Sequence, residues 1–247
     1  MKINLQDALD RLQEMRHVDS DEGVANALYR LGVAYLQRNR LTQAEEAFDE
    51  AQYLCEKLEN RLGLAHVLQK QAELTLATGD GQAALAKLDQ ALAIFRQEAP
   101  PEVVFQAVEL RARALDRLGR TAEAAAELEN LLAQADQAGD EVSVLLLLQY
   151  LAPLQRRLGR VERALATYRR HGALAEKLGE PQRVALAYVA VGSLEAQLGR
   201  PEVARGALHR AAATFLGLGM VQQAREVRAE IARLGLEEQD GAPRDDT

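Results

Sequence analysis

The chain has 247 residues, 48% of them hydrophobic and 27% charged, which is typical of a globular protein and unlike a disordered one. Trp is absent and aromatic residues make up only 4%, so a large β-rich core is not expected. The net charge is −7, with much of the excess acid in the last eleven residues, and this excludes a broad basic surface for nucleic acid.

The first predicted element is a helix within residues 1–20. Apolar residues recur there at helical spacing and define one face: Leu5, Ala8, Leu9, Leu12 and Met15. We expect this helix to pack on the element that follows it.

Residues 21–219 carry an internal repeat with a period of 40 residues, which determines how the rest of the chain is interpreted. One column of the repeat is always alanine: Ala44, Ala84, Ala124, Ala164 and Ala204. Twelve residues earlier the side chain is always small: Gly32, Ala72, Ala112, Ala152 and Gly192. Small residues that face large ones allow two helix axes to approach closely, so each repeat is predicted to be a pair of packed helices.

Turn residues recur with the same period. One turn site holds Asn39, Gly79, Gly119, Gly159 and Gly199, and a second set lies twenty residues further on, at Gly139, Gly179 and Gly219. Glycine and asparagine tolerate the left-handed conformation that ends many helices. We therefore predict two helices of about 16–18 residues per repeat, with Pro153 kinking one of them.

This pattern predicts five helix–turn–helix repeats followed by a capping helix at 220–236 and a disordered acidic tail at 237–247. The predicted repeats are about 21–60, 61–100, 101–140, 141–180 and 181–219.

The repeats resemble the tetratricopeptide repeat family. The first copy matches that pattern best, at Leu28, Leu31, Gly32, Tyr35, Ala44, Phe48 and Ala51, and later copies depart from it at Gln71, Thr75, Arg111, His171 and Glu195. The 40-residue period is similar to the longer variant found in Pins/LGN-like adaptors and bacterial regulators. The resemblance implies an all-α fold, a right-handed α-solenoid whose stacked repeats form a concave groove.

The resemblance also implies which face of the first helix of each repeat lines that groove. The implied partner-binding residues are Asn26, Tyr29, Val33, Leu36, His66, Gln69, Glu73, Leu76, Gln106, Glu109, Arg113, Asp116, Arg117, Leu146, Gln149, Arg156, Arg157, Leu186, Val189, Ser193 and Gln197. Four of them, Arg113, Arg117, Arg156 and Arg157, are candidates for a cationic stripe. Glu109 and Asp116 would neutralise part of it.

Such a module is expected to bind a protein or peptide and to catalyse nothing. The cationic stripe favours a partner that is acidic and carries apolar anchors. Two alternatives stay open: a homo-oligomeric scaffold assembled through edge repeats, and a peptide-sensing regulatory protein. Fold alone does not choose among them.

No catalytic, metal or cofactor site is expected. The four histidines have no partners at the spacing of a known metal motif, and we interpret them as surface or half-buried packing residues. Cys55 lies on an apolar helix face and is interpreted as a small buried hydrophobic residue.

The sequence also favours a cytoplasmic protein without membrane insertion. A single cysteine excludes an internal disulfide, the amino terminus has no apolar signal core, and no apolar run approaches the ~20 residues of a membrane span. The preponderance of Arg over Lys suggests a bacterial source.

Overall fold

The computed structural model describes residues 3–236, which form twelve α-helices and no β-strand. The predicted all-α fold of helix–turn–helix repeats is confirmed. The helices are α1 (Leu5–His17), α2 (Asp21–Leu36), α3 (Leu41–Lys57), α4 (Arg61–Thr78), α5 (Gly81–Glu98), α6 (Pro101–Arg117), α7 (Thr121–Ala138), α8 (Glu141–Arg157), α9 (Val161–Lys177), α10 (Pro181–Gln197), α11 (Pro201–Gly217) and α12 (Val221–Arg233). The predicted acidic tail at 237–247 lies outside the described residues.

The chain divides into two compact units, with the boundary between Leu128 and Glu129 inside α7. In the first unit each helix from α1 to α6 packs on the next, α2 also contacts α4, and α4 contacts α6. In the second unit each helix from α8 to α12 packs on the next. Within residues 3–236, no helix combines the length and the apolar character that crossing a membrane requires.

Each terminal helix contributes apolar side chains to the core of its own unit. In the first unit, Ala8 and Leu12 of α1 join a buried cluster that contains Phe48. In the second unit, Val227 and Ile231 of α12 join a cluster with α10 and α11. Both helices thus cover apolar faces that would otherwise be exposed at the unit's end.

The turns between helices adopt the backbone conformation expected from their residues. Asn39 has a φ of 57° and Gly79 a φ of 97°, and the equivalent glycines are also left-handed. At Gly79 the turn is closed by a hydrogen bond of 2.9 Å from the Asp80 N–H to the Thr75 carbonyl, which satisfies a group that the helix end leaves unpaired.

One turn in the first unit departs from this pattern. Ala99 is extended, with a φ of −106° and a ψ of 155°. It precedes Pro100, and a residue before proline is pushed into the extended region by the proline ring. Pro101 then begins α6, where its missing N–H costs no intrahelical hydrogen bond.

Glycines inside the helices allow close packing, as predicted for the small-residue column. A Cβ atom on Gly32 would lie 2.5 Å from the Phe48 ring, and one on Gly192 would lie 2.6 Å from Leu208 Cγ. In both pairs the second helix of a hairpin places a large buried side chain directly against the glycine backbone of the first. Helix α8 continues through Pro153.

Glu59 occupies a turn with a φ of 53°, a conformation that costs a residue with a Cβ roughly 1–2 kcal/mol. We expect Glu59→Gly to raise the free energy of unfolding by about 0.5–1 kcal/mol, because relief of this strain exceeds the entropy that glycine loses on folding. Urea unfolding followed by circular dichroism measures the change. Gly79→Ala is the matched control and should lose about 1 kcal/mol, since its Cβ would enter open space and only the backbone is strained. Equal or lower stability of Glu59→Gly would contradict the prediction.

Candidate partner-binding site

In the first unit, α2, α4 and α6 carry the predicted groove residues. Among these residues, Asn26, Gln106, Arg113 and Arg117 are exposed, and Tyr29, Val33, Leu36, His66, Glu73, Glu109 and Asp116 are half-buried. Gln69 and Leu76 are buried, at 8% and 4% exposure, so they offer a partner little surface. They turn inward because α4 is covered by helices on more than one side, which the periodicity of a single helix does not reveal.

Asn26, Tyr29 and His66 come together around a pocket of about 190 Å³ between α2 and α4. The rings of Tyr29 and His66 meet edge to face, with centroids 6.5 Å apart. On its other side His66 contacts Phe95, at 5.0 Å between ring centroids. The aromatic contacts hold the pocket wall in place, and Cys55 closes part of its floor.

The environment of the pocket keeps its ring groups neutral near pH 7. Burial lowers the pKa of His66, and the nearby Lys70 charge lowers it further. Burial raises the pKa of the Tyr29 phenol, with Lys70 and Glu73 acting in opposite directions. Lys70 and Glu73 form an ion pair with N and O atoms 2.7 Å apart. The pocket is therefore an uncharged aromatic cavity beside a self-neutralised ion pair.

Two arginines of α6 already have partners within the first unit. Arg113 lies 3.9 Å from Glu109, one helical turn away. Arg117 donates a hydrogen bond to the carbonyl of Leu76, in the last turn of α4, where helix carbonyls lack intrahelical partners. Arg117 thus stabilises the end of α4 as well as carrying charge on α6.

In the second unit, α8 and α10 carry the remaining predicted residues. Gln149, Arg156, Arg157, Leu186 and Gln197 are exposed, and Leu146, Val189 and Ser193 are half-buried. Gln149 accepts a hydrogen bond of 2.6 Å from Arg183, which joins α8 to α10. Of the arginines in the predicted cationic stripe, Arg113 and Arg117 lie in the first unit and Arg156 and Arg157 in the second. The stripe stays a prediction.

Sequence reasoning missed a set of polar contacts between successive hairpins, several of which involve a buried side chain. In the first unit Gln71 is 2% exposed, donates to Asp49 at 2.8 Å and accepts from Lys87 at 2.9 Å. Arg111, one repeat later, donates to Asp89 at 2.7 Å. Polar residues are tolerated at these positions of the repeat because partners on neighbouring helices satisfy their hydrogen-bonding groups.

The second unit has equivalent contacts. Gln155 is buried, donates to Glu129 at 3.2 Å and accepts from the Thr167 hydroxyl at 2.7 Å. Glu195 has no exposed surface and accepts a hydrogen bond from Arg169. One signal was present in the sequence, a column of charged residues with the 40-residue period: Asp49, Asp89, Glu129 and Arg169.

The exposure predicted for His171 is wrong. It is 4% exposed, and its Nε2 atom is buried without a hydrogen-bond partner among the described residues. The cause is its position on the face of α9 that packs inward, where equivalent repeats have Ala51, Ala91 and Leu131. Burial, with a smaller contribution from the Arg183 charge, lowers its pKa to about 4.

The interpretation of Cys55 is confirmed. It is 4% exposed, and burial raises the pKa of its thiol, which disfavours the reactive thiolate. Within residues 3–236, no group of three or more His, Cys, Asp and Glu side chains is placed to hold a metal ion.

Comparisons with known proteins identify a matching family model and several structures of similar fold. A family model of the tetratricopeptide repeat matches residues 23–97. The structure is similar to aspartyl phosphate phosphatase F from Bacillus subtilis, with a TM-score of 0.74 and 17% identity, covering 91% of this chain and 62% of that one. It is also similar to BtubC from P. vanneervenii, with a TM-score of 0.61 and 22% identity over 85% of this chain and 96% of that one.

A third similar structure is the Rap conjugation gene regulator of plasmid pLS20, determined in complex with the Phr* peptide. Its TM-score is 0.60 at 15% identity, covering 89% of this chain and 61% of that one. The chain therefore spans less than two thirds of the phosphatase and of the Rap regulator. At these identities the likeness establishes the fold alone. No curated protein sequence matches the chain.

Proposed function

Because a tetratricopeptide-repeat model matches residues 23–97 and the fold is that of helix–turn–helix repeats, we propose that the chain is a non-catalytic interaction module that binds a protein or peptide segment on α2, α4 and α6. The observation that carries the proposal is the pocket of about 190 Å³ lined by Asn26, Tyr29 and His66. Its size suits one apolar side chain of a partner, and the exposed amide of Asn26 at its rim can hydrogen-bond to the partner's backbone.

The electrostatics of the first unit support a partner that carries acid near its anchor. Arg113 is exposed and its ion pair with Glu109 is long, at 3.9 Å, so its guanidinium keeps donors for a carboxylate. A segment with one apolar anchor and a nearby acidic residue would engage both features. The peptide held by the similar Rap regulator supports a peptide as the form of the partner. In that form the protein would act as an adaptor or as a peptide-responsive regulator.

The test is affinity capture from a lysate of the source organism, read by mass spectrometry. Asn26→Arg places a long charged side chain at the pocket rim without disturbing the core, because Asn26 is exposed. We expect captured partners to fall by about tenfold, which corresponds to roughly 1.4 kcal/mol of binding free energy. Gln43→Arg, on the exposed face of α3, makes the same charge change outside the pocket and should capture as the wild type does.

Two results would contradict the proposal. A partner that Asn26→Arg captures as well as the wild type does would place the contact elsewhere. Recovery of only the protein itself would favour self-association. Titration of the purified partner into each variant by calorimetry then measures the affinity directly.

A further inference from the structure

The second unit contains a cleft of about 560 Å³ between α9 and α11, with α10 as its floor. It is separate from the predicted groove residues of α10, since the floor is formed by Ala187, Tyr188 and Val191. Its volume is within the range of sites that bind small organic molecules.

The cleft exists because this part of the chain has smaller side chains than the repeats before it. Gly172 lines the cleft on α9, where the two preceding repeats have Leu92 and Leu132. Ala207 lines it on α11, at a column where the first repeat also has alanine, Ala47, but the three repeats between have larger side chains: Lys87, Glu127 and Thr167. The space that those side chains fill in earlier repeats is open here.

The lining is apolar with charge at the edge. Val191 is buried, Val203 is 49% exposed, and the half-buried Tyr168 and Tyr188 add aromatic surface. Arg210 lies over the Tyr188 ring, 4.4 Å from its centroid, and pairs with Glu176 at 2.8 Å. An apolar molecule could therefore bury its body against the floor while its polar end remains at the guanidinium groups.

The charge at the edge is positive. Arg169, which also lines the cleft, is paired with the buried Glu195, and Arg200 binds the same carboxylate at 3.2 Å. Among the residues that line the cleft there are two guanidinium groups, those of Arg169 and Arg210, and one carboxylate, that of Glu176. Each guanidinium has five donors, of which these pairs use only part. The excess positive charge is complementary to an anion.

We propose that this cleft binds a small amphipathic carboxylate, with its apolar body on α10 and its carboxylate at the arginines of the edge, Arg169 and Arg210. Guanidinium groups recognise carboxylates through paired hydrogen bonds. The proposal does not depend on the partner-binding site of the first unit.

Octanoate is the probe, with octanamide as the neutral molecule of the same length, and calorimetric titration is the measurement. Octanoate should bind saturably with submillimolar affinity, and octanamide at least tenfold more weakly. Arg210→Gln should lower the affinity for octanoate several-fold and reduce the preference for octanoate over octanamide, because one of the two arginines at the edge is lost.

Gly206→Leu tests the location. A Cβ on Gly206 meets nothing within 4 Å and the residue lines the cleft, so a leucine there can fill the space without displacing the backbone. It should reduce octanoate affinity at least tenfold, whereas Gly217→Leu, on the same helix and also open, should not change it. Absence of saturable binding to the wild type, equal binding of octanamide, or unchanged affinity in Gly206→Leu would each overturn the proposal. Thermal unfolding of both variants verifies that they are folded.

Discussion

Acidification from pH 7 to pH 4 is expected to remove about 3 kcal/mol of stability through His171 alone. The ordinary pKa of histidine is 6.5, and burial, assisted by the Arg183 charge, lowers that of His171 to about 4. Each pKa unit corresponds to roughly 1.4 kcal/mol between the two protonation states.

The direction follows from proton uptake in the two states. Between about pH 6.5 and pH 4 the unfolded chain binds a proton at His171 and the folded chain does not, so the unfolded state gains stability as pH falls. Above pH 6.5 the side chain is neutral in both states, and its contribution no longer changes with pH. Stability is therefore lost as pH falls through this window.

The matched variant is His171→Leu, since the equivalent residue of the preceding repeat is Leu131. It should remove most of this pH dependence and also raise stability at pH 7, by about 1–3 kcal/mol, because the unpartnered Nε2 atom is no longer buried. Urea unfolding at pH 7 and pH 4.5 measures both effects. His209→Ala, at an exposed site, controls for histidine loss in general. If wild type and His171→Leu lose stability in parallel, His171 is not the cause.

Removal of both arginines that bind Glu195 is expected to destabilise the second unit by about 3–5 kcal/mol. The Glu195 carboxylate has no exposed surface, and Arg169 and Arg200 are the partners that compensate its charge. A buried charge without a partner is costly, because the protein interior replaces little of the hydration that the charge has lost. Each single arginine variant should lose less, since the other guanidinium remains.

A third substitution distinguishes the buried charge from loss of the arginine side chains. Glu195→Leu added to Arg169→Ala and Arg200→Ala should recover most of the loss, because a buried leucine, Leu115, occupies the equivalent site two repeats earlier. Arg233→Ala removes an exposed ion pair with Glu230 and should change stability by less than about 1 kcal/mol. If the triple variant is no more stable than the double, the buried carboxylate is not the source of the loss.

The proposed partner-binding site was only partly accessible to sequence reasoning. Asn26 and His66 of the predicted set line one pocket, but Gln69 of the same set is buried. The periodicity of one helix defines its faces relative to one another. Which face remains open depends on how many neighbours cover the helix, and that is a property of the packed unit.

The sequence by itself determined the all-α fold, the helix hairpins and their turns. These depend on local chemistry: glycine or asparagine at Asn39 and Gly79 permits a positive φ, and the proline after Ala99 disfavours a helical conformation there. Small residues such as Gly32 also predicted close contacts between helices. A Cβ atom at Gly32 would clash with the Phe48 ring that packs against it.

Only the tertiary structure decided which polar residues are buried together and where space is left open. In the sequence, Gln71 and Glu195 only depart from the repeat pattern. In the fold they form hydrogen bonds with Asp49 and Arg169, which are more than twenty residues away in the chain. The cleft beside Gly172 likewise depends on α11 lying opposite α9. The physical reason is the same in each case: desolvation, charge compensation and cavity volume depend on distances between helices, which local periodicity does not specify.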